Sequence, residues 1–290
     1  MKNKYLIISP HLDDAVLSCG ASMAQWQEKG ADVIVASVFS SCADSRLELK
    51  EIYETRKKQD IEALTFLGAK AIHLGFTDAP FRSSRSYYNF STILFHHEDE
   101  ERILEQSIAT EISKIIKEYT PDSILFPLGV GGHIDHHLVY RSSFKLDYPT
   151  EKIQFYEDLP YALVPGWTEV RLHKMDYKHE LRPFSDFQGH LLDLKLPFLH
   201  NYTMDEDDKK ASNLQYQKEI KYLTTVKKNT KGRLILDKIY LSKHFFEKKC
   251  EAILHYKTEW PILFGESENI KKVLHPNTEK HYTESFWKKK

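Results

Sequence analysis

Tyr5-Leu6-Ile7-Ile8-Ser9-Pro10-His11-Leu12-Asp13-Asp14, then the run from Ala15 to Lys29, Gly30, and Val33-Ile34-Val35-Ala36-Ser37-Val38-Phe39, is the stretch that decides the fold. Tyr5 to Ile8 and Val33 to Phe39 are short apolar runs rich in β-branched residues and read as buried strands. Ala15 to Lys29 reads as the helix between them, with Gly30 as its cap. The alternation continues outward. Arg46 to Leu67 is a long helical segment closed by Gly68, and Ala71 to Leu74 a short strand. Glu100 to Tyr119 is a helix stopped by Pro121, and Ser123 to Phe126 the fourth strand. A loop with Gly129, Gly131 and Gly132 leads into a helical run from His136 to Phe144 and a strand from Ile153 to Tyr156. Such alternation implies the α/β class, a Rossmann-like open and mostly parallel sheet with helices on both faces.

Two stretches break the rhythm. Residues 77–99, including Phe81-Arg82-Ser83-Ser84-Arg85-Ser86-Tyr87-Tyr88, show no period and read as an inserted loop, either a substrate-contacting lid or a surface excursion. Residues 203–232 are polar and charged and read as a mobile connection or a solvated helix. Lys288, Lys289 and Lys290 read as a solvated tail.

Composition narrows the function. With 41 basic and 42 acidic side chains the formal net charge is −1, so no global field points to nucleic acid or an anionic membrane. Cys19, Cys42 and Cys250 are odd in number and far apart, which favours a reducing compartment over a disulfide framework. No stretch approaches the ~20 apolar residues of a membrane span, and the apolar run at the N-terminus is too short for a signal peptide. A cytoplasmic protein without a nucleic-acid partner is the expectation.

Chemistry concentrates in two motifs, both just after predicted parallel strands, where ligands gather in open α/β sheets. In Pro10-His11-Leu12-Asp13-Asp14, the imidazole of His11 and the carboxylate of Asp14 can share one metal, leaving Asp13 beside it. In Gly132-His133-Ile134-Asp135-His136-His137, His133 and His136 are three apart and can meet on one face of a helical turn. Either motif alone has an ordinary explanation: acidic residues favour helix N-termini, and histidine runs are often solvated. Both at the same end of one sheet point to a metal site. Nitrogen and oxygen ligation of this kind suits zinc, which lowers the pKa of a bound water to about 7. Asp13 is then the general base and later the acid, His133 a donor to the tetrahedral oxyanion, and Asp135 the partner that fixes a histidine tautomer.

At these residues the sequence resembles the LmbE-like, or PIG-L, zinc de-N-acetylase family, across roughly residues 1–160. That family carries Pro/Ala-His-x-Asp-Asp after the first strand and His-x-Asp-His after a later one. The resemblance implies His11, Asp14 and His136 as ligands, Asp13 as base and His133 on the oxyanion side. Arg56, in Arg56-Lys57-Lys58-Gln59-Asp60, and Asp78, in Leu74-Gly75-Phe76-Thr77-Asp78, are similar to the family's substrate-binding positions. A surface salt bridge and a turn-forming aspartate are the plainer readings of those two. Phe155-Tyr156-Glu157-Asp158-Leu159-Pro160-Tyr161 resembles a segment of one branch of the family, and Tyr256-Lys257-Thr258-Glu259 loosely resembles a terminal signature. Leu12 stands where many members have proline, and residues 165–250 match nothing recognisable.

Residues 1–160 are thus expected to form a Rossmann-like metal-binding catalytic core, with 161–290 completing the same domain and carrying specificity. The implied activity is removal of an N-acetyl group from a small-molecule amino sugar or glycoconjugate, with Zn2+ as cofactor and Fe2+ compatible with the same ligands. Competing readings are an amidase acting on a thiol or peptide-like conjugate, a non-haem iron oxygenase, and a non-catalytic metal-binding protein. Substrate identity and oligomeric state are not encoded in these motifs.

Overall fold

The structure is a computed structural model that describes residues 2–42, 46–82, 89–95, 102–175, 177–178, 189–202, 205–225, 232–275 and 281–289. The strands are β1 (Lys4–Ser9), β2 (Asp32–Ser41), β3 (Lys70–Thr77), β4 (Ser123–Pro127), β5 (Ile153–Tyr156), β6 (Tyr177–Lys178), β7 (Gly232–Leu241) and β8 (Tyr282–Lys289). The helices are α1 (Asp14–Glu28), α2 (Leu47–Phe66), α3 (Phe90–Phe95), α4 (Arg102–Tyr119), α5 (Ile134–Ser142), α6 (Trp167–Lys174), α7 (Pro197–Tyr202), α8 (Glu206–Thr225), α9 (Lys243–Ile253), α10 (Trp260–Phe264) and α11 (Ser267–Leu274).

The strand order is β3-β2-β1-β4-β5-β8-β7-β6. The first five strands are mutually parallel, and β8 is antiparallel to both β5 and β7. Leu6, Ile7 and Ile8 in β1 are fully buried, and Val35, Ala36 and Val38 in β2 nearly so. Strands covered on both faces demand such continuous apolar runs rather than alternation. Right-handed crossovers place α1 and α2 on one face and α4 and α5 on the other. The order reverses between β1 and β4, and the crevice beyond their carboxyl ends is where such sheets bind ligands.

Four expectations from the sequence change here. Residues 77–99 are not without structure: Ala79–Phe81 form a 3-10 turn and α3 follows, with Phe90 and Leu94 buried. Residues 83–88 and 96–99 lie outside the described residues, as does Glu100, the expected start of α4. The polar segment 203–232 contains α8, whose Asp208, Ser212, Tyr216 and Glu219 are buried; residues 203–204 and 226–231 are outside the described set. Asp208 accepts hydrogen bonds from the Phe90 and Ser91 amides at 3.2 and 2.9 Å and so caps α3, which is why an acidic residue is tolerated inside. Lys288 and Lys289 belong to β8 rather than to a solvated tail; Phe286 and Trp287 beside them are buried, and Lys288 pairs with Asp237 at 3.1 Å. Lys290 lies outside the described residues. Finally, α5 starts at Ile134, so His133 is its N-cap in non-helical backbone and not a residue of its first turn.

Among the described residues no helix is long and apolar enough to cross a membrane. Cys19, Cys42 and Cys250 are all free and buried.

Candidate metal centre and substrate pocket

β1 ends at Ser9, and the chain turns through Pro10-His11-Leu12-Asp13 before α1 begins at Asp14. Ser9 Oγ holds this turn by donating to the His11 carbonyl at 2.6 Å and accepting the Ala15 amide at 3.0 Å. Asp14 Oδ2 accepts the His11 amide at 2.8 Å, which aims the carboxylate back over the turn. The other half of the site leaves β4 through the Gly129–Gly132 turn. Gly131 (φ +80°) and Gly132 (φ +84°) lie in the left-handed region, and a Cβ there would meet Tyr161 at 2.7 Å and the Leu94 carbonyl at 2.5 Å. Only glycine fits both demands.

The two halves converge. His11 Nδ1 and His136 Nε2 lie 3.1 and 3.2 Å from the same oxygen, Asp14 Oδ2. One ligand atom from each of His11, Asp14 and His136 lies within 4.8 Å of the others, and all three residues are buried or nearly so. Beyond this close approach to Asp14, His136 Nε2 is buried with no other partner, so a ring nitrogen faces the cluster. Two imidazoles and one carboxylate with such an atom fit a divalent ion. Among the described residues His11, His133 and Asp135 form a second group within the same span. Asp135 is a poorer donor there, because Arg82 pairs with its Oδ1 at 2.5 Å while Oδ2 accepts the Ala79 amide at 3.1 Å.

The flanking groups are equally specific. Asp13 is buried beside the cluster without joining it, and burial, with the Asp14 and Glu259 carboxylates, raises its pKa to about 8. His133 Nδ1 accepts the Asp135 amide at 3.2 Å, so in the neutral ring the proton sits on Nε2. Burial, followed by the nearby His11 and His136, pushes the His133 pKa well below its ordinary value and favours that neutral form. The histidine that Asp135 meets is His11, whose Nε2 lies 3.1 Å from Oδ2.

Arg56 and Asp78 line one cavity of about 340 Å3 together with His11, Asp13, Asp14 and His133. Arg56 Nε pairs with Glu259 at 2.9 Å, and Asp78 accepts the Tyr53 hydroxyl at 2.5 Å. Burial opposes ionisation of Asp78, but His11 and Arg56 outweigh it and hold the carboxyl below its usual range.

Three participants are not evident from the motifs. Asp158 is fully buried; its Oδ1 lies 2.6 Å from His136 Nδ1, and its Oδ2 accepts the Gly129 and Val130 amides at 2.8 and 2.9 Å. Its one signal in the sequence is its place in the 155–161 segment. Arg82, in the loop after β3, clamps Asp135. Glu259 reaches the pocket because Tyr256 donates to Asp60 at 2.7 Å and Thr258 Oγ1 to Gln59 at 2.9 Å, docking that segment on α2.

Residues 6–145 match the family described as GlcNAc-PI de-N-acetylase, PIG-L. The chain is 25% identical over 213 residues to a 2'-N-acetylparomamine deacetylase of Niallia circulans, covering 61% of this chain and 76% of the relative. It is 29% identical over 169 residues to the protein of the same name from Streptomyces fradiae, covering 56% of this chain and 58% of the relative. Among solved structures, the A40926 pseudoaglycone deacetylase Dbv21 superposes with a TM-score of 0.64 at 23% identity, covering 100% of this chain and 98% of that one. A teicoplanin-pathway deacetylase gives 0.67 at 22% identity, with coverage of 98% and 97%. These two likenesses establish the shared fold.

Proposed function

We propose that this chain, whose residues 6–145 match the PIG-L (LmbE-like) de-N-acetylase family, is a hydrolase that uses water to remove the N-acetyl group of an amino-sugar glycoconjugate, giving acetate and a free amine. The convergence of His11, Asp14 and His136 beside an uncommitted, buried Asp13 is the observation that carries this reading. A divalent ion on those three residues, with zinc as our assignment, supplies Lewis acidity and lowers the pKa of water. Asp13 takes the proton of the attacking water and delivers it to the departing nitrogen. His133 donates from Nε2 to the developing oxyanion. Asp135 and Asp158 hold His11 and His136 in place from behind, and Arg56 and Asp78 bind polar groups of the sugar.

Beyond this polar floor the cavity wall is apolar, with Leu49, Ile52, Phe81, Phe90, Ile93 and Tyr202. Such a wall favours a sugar that carries an apolar aglycone over a bare, polycationic one. We further read residues 161–290 as completing the catalytic domain, and the free buried cysteines as suited to the cytoplasm. The test is acetate release by metal-loaded protein from N-acetylated sugars, aminoglycosides and aryl glycosides. Failure on every N-acetyl glycoside at full metal occupancy would refute the assignment.

A further inference from the structure

A second cavity, of about 190 Å3, adjoins the Gly129–Gly132 turn and shares no lining residue with the substrate pocket. Its opposite wall is α6, which presents Trp167, Arg171 and Lys174. Arg171 donates from Nε to the Leu128 carbonyl at 2.6 Å, and its guanidinium carbon sits 4.3 Å from the centre of the Tyr140 ring. Its Nη2 is buried with no hydrogen-bond partner, and among the described residues no carboxylate pairs with it. Lys174, by contrast, is paired with Glu219 at 2.5 Å. Arg171 therefore has no salt-bridge partner in the lining, a costly arrangement for a guanidinium nitrogen shut off from water. The Asp158 carboxylate lies outside the lining and acts on it only through space. Trp167, four residues before Arg171 on the same helical face, has a buried Nε1–H that also lacks a partner. Leu94, Phe95 and Val170 give the wall an apolar patch, beside Gln215, His137 and the Lys174–Glu219 pair.

One spare guanidinium nitrogen, one spare indole N–H and an apolar patch match a small monoanion with one greasy end. We infer that this cavity binds a small carboxylate of acetate size, its oxygens accepting from Arg171 Nη2 and Trp167 Nε1 and its methyl group against the apolar patch. The occupant neutralises Arg171 and braces the turn that carries His133. Acetate from the medium and acetate from the reaction offer the same chemistry. Binding of added acetate is therefore measurable whatever the protein hydrolyses.

The chain has four tryptophans, so the metal-loaded 15N-labelled protein gives a sparse set of indole N–H signals. The Trp167 signal is identified by its loss in Trp167→Phe. Sodium acetate should move that signal to saturation, and sodium chloride at equal ionic strength should not. Arg171→Met should weaken the acetate response at least tenfold. Should that variant fail to fold, Arg171→Gln, which keeps a donor for the Leu128 carbonyl, provides the same readout. A Trp167 signal that ignores acetate, follows chloride equally, or responds undiminished without the guanidinium overturns the inference.

Discussion

Asp158→Asn replaces one oxygen by an NH2 group in a side chain with no exposure. The carboxylate now serves three donors, His136 Nδ1 through Oδ1 and two loop amides through Oδ2. The amide has a single acceptor atom. Turned toward His136, it would leave two buried backbone N–H groups facing NH2, at about 1–3 kcal/mol each. Kept with the loop, it presents NH2 to Nδ1, and the imidazole relieves the clash by moving its proton to Nε2. That second arrangement costs less, and Nε2 is the atom that faces Asp14 Oδ2. A protonated Nε2 cannot ligate. Lost support behind a ligand typically weakens metal affinity about 10–100-fold, or ~1.4–2.7 kcal/mol. Competition for zinc against a chromophoric chelator measures the loss, and melting of the chelated protein separates it from a change in folding. Affinity within about twofold of the unaltered protein, far below the expected loss, would show that Asp158 does not orient His136.

The remaining expectations are shorter. Asp13→Ala should leave the metal bound while turnover falls about 10²–10⁴-fold; metal analysis beside kinetics checks it, and loss of the ion would make Asp13 a ligand. His136→Ala should lose the metal, and full occupancy would refute its assignment. His133→Ala should lower kcat about 10²–10³-fold with metal retained; equal loss of both would contradict the oxyanion role. Chelation should abolish acetate release and readdition of zinc restore it, and activity that survives complete removal of the ion would sink the metal reading.

The β1–α1–β2 unit is legible in the sequence because its periods are local: apolar runs for strands, a helical stretch and a glycine between them. His11, Asp13 and Asp14 can be read together because they share one turn. The supporting groups cannot. Asp158 reaches His136, Arg82 reaches Asp135 and Glu259 reaches Arg56 only through the fold. Asp158 and Glu259 stand in segments with a family likeness, but nothing in those segments names their partners, and Arg82 looks like an ordinary loop cation. Three-residue spacing cannot distinguish a cap from a first turn, so it places His133 inside a helix that begins one residue later. β8 is hidden because its lysines and hydroxyl residues dilute the apolar face of Phe286 and Trp287.

β8 follows all the other strands in sequence yet sits between β5 and β7. During synthesis β7 must therefore wait with an open edge until residues 282–289 have left the ribosome, a window for pairing with neighbouring chains. The same segment brings Glu284, which accepts the Ala21 and Ser22 amides and pairs with Lys249 at 2.8 Å. A nascent chain lacking it leaves that lysine without its counter-charge, so trimming these few residues should harm yield far more than their number suggests.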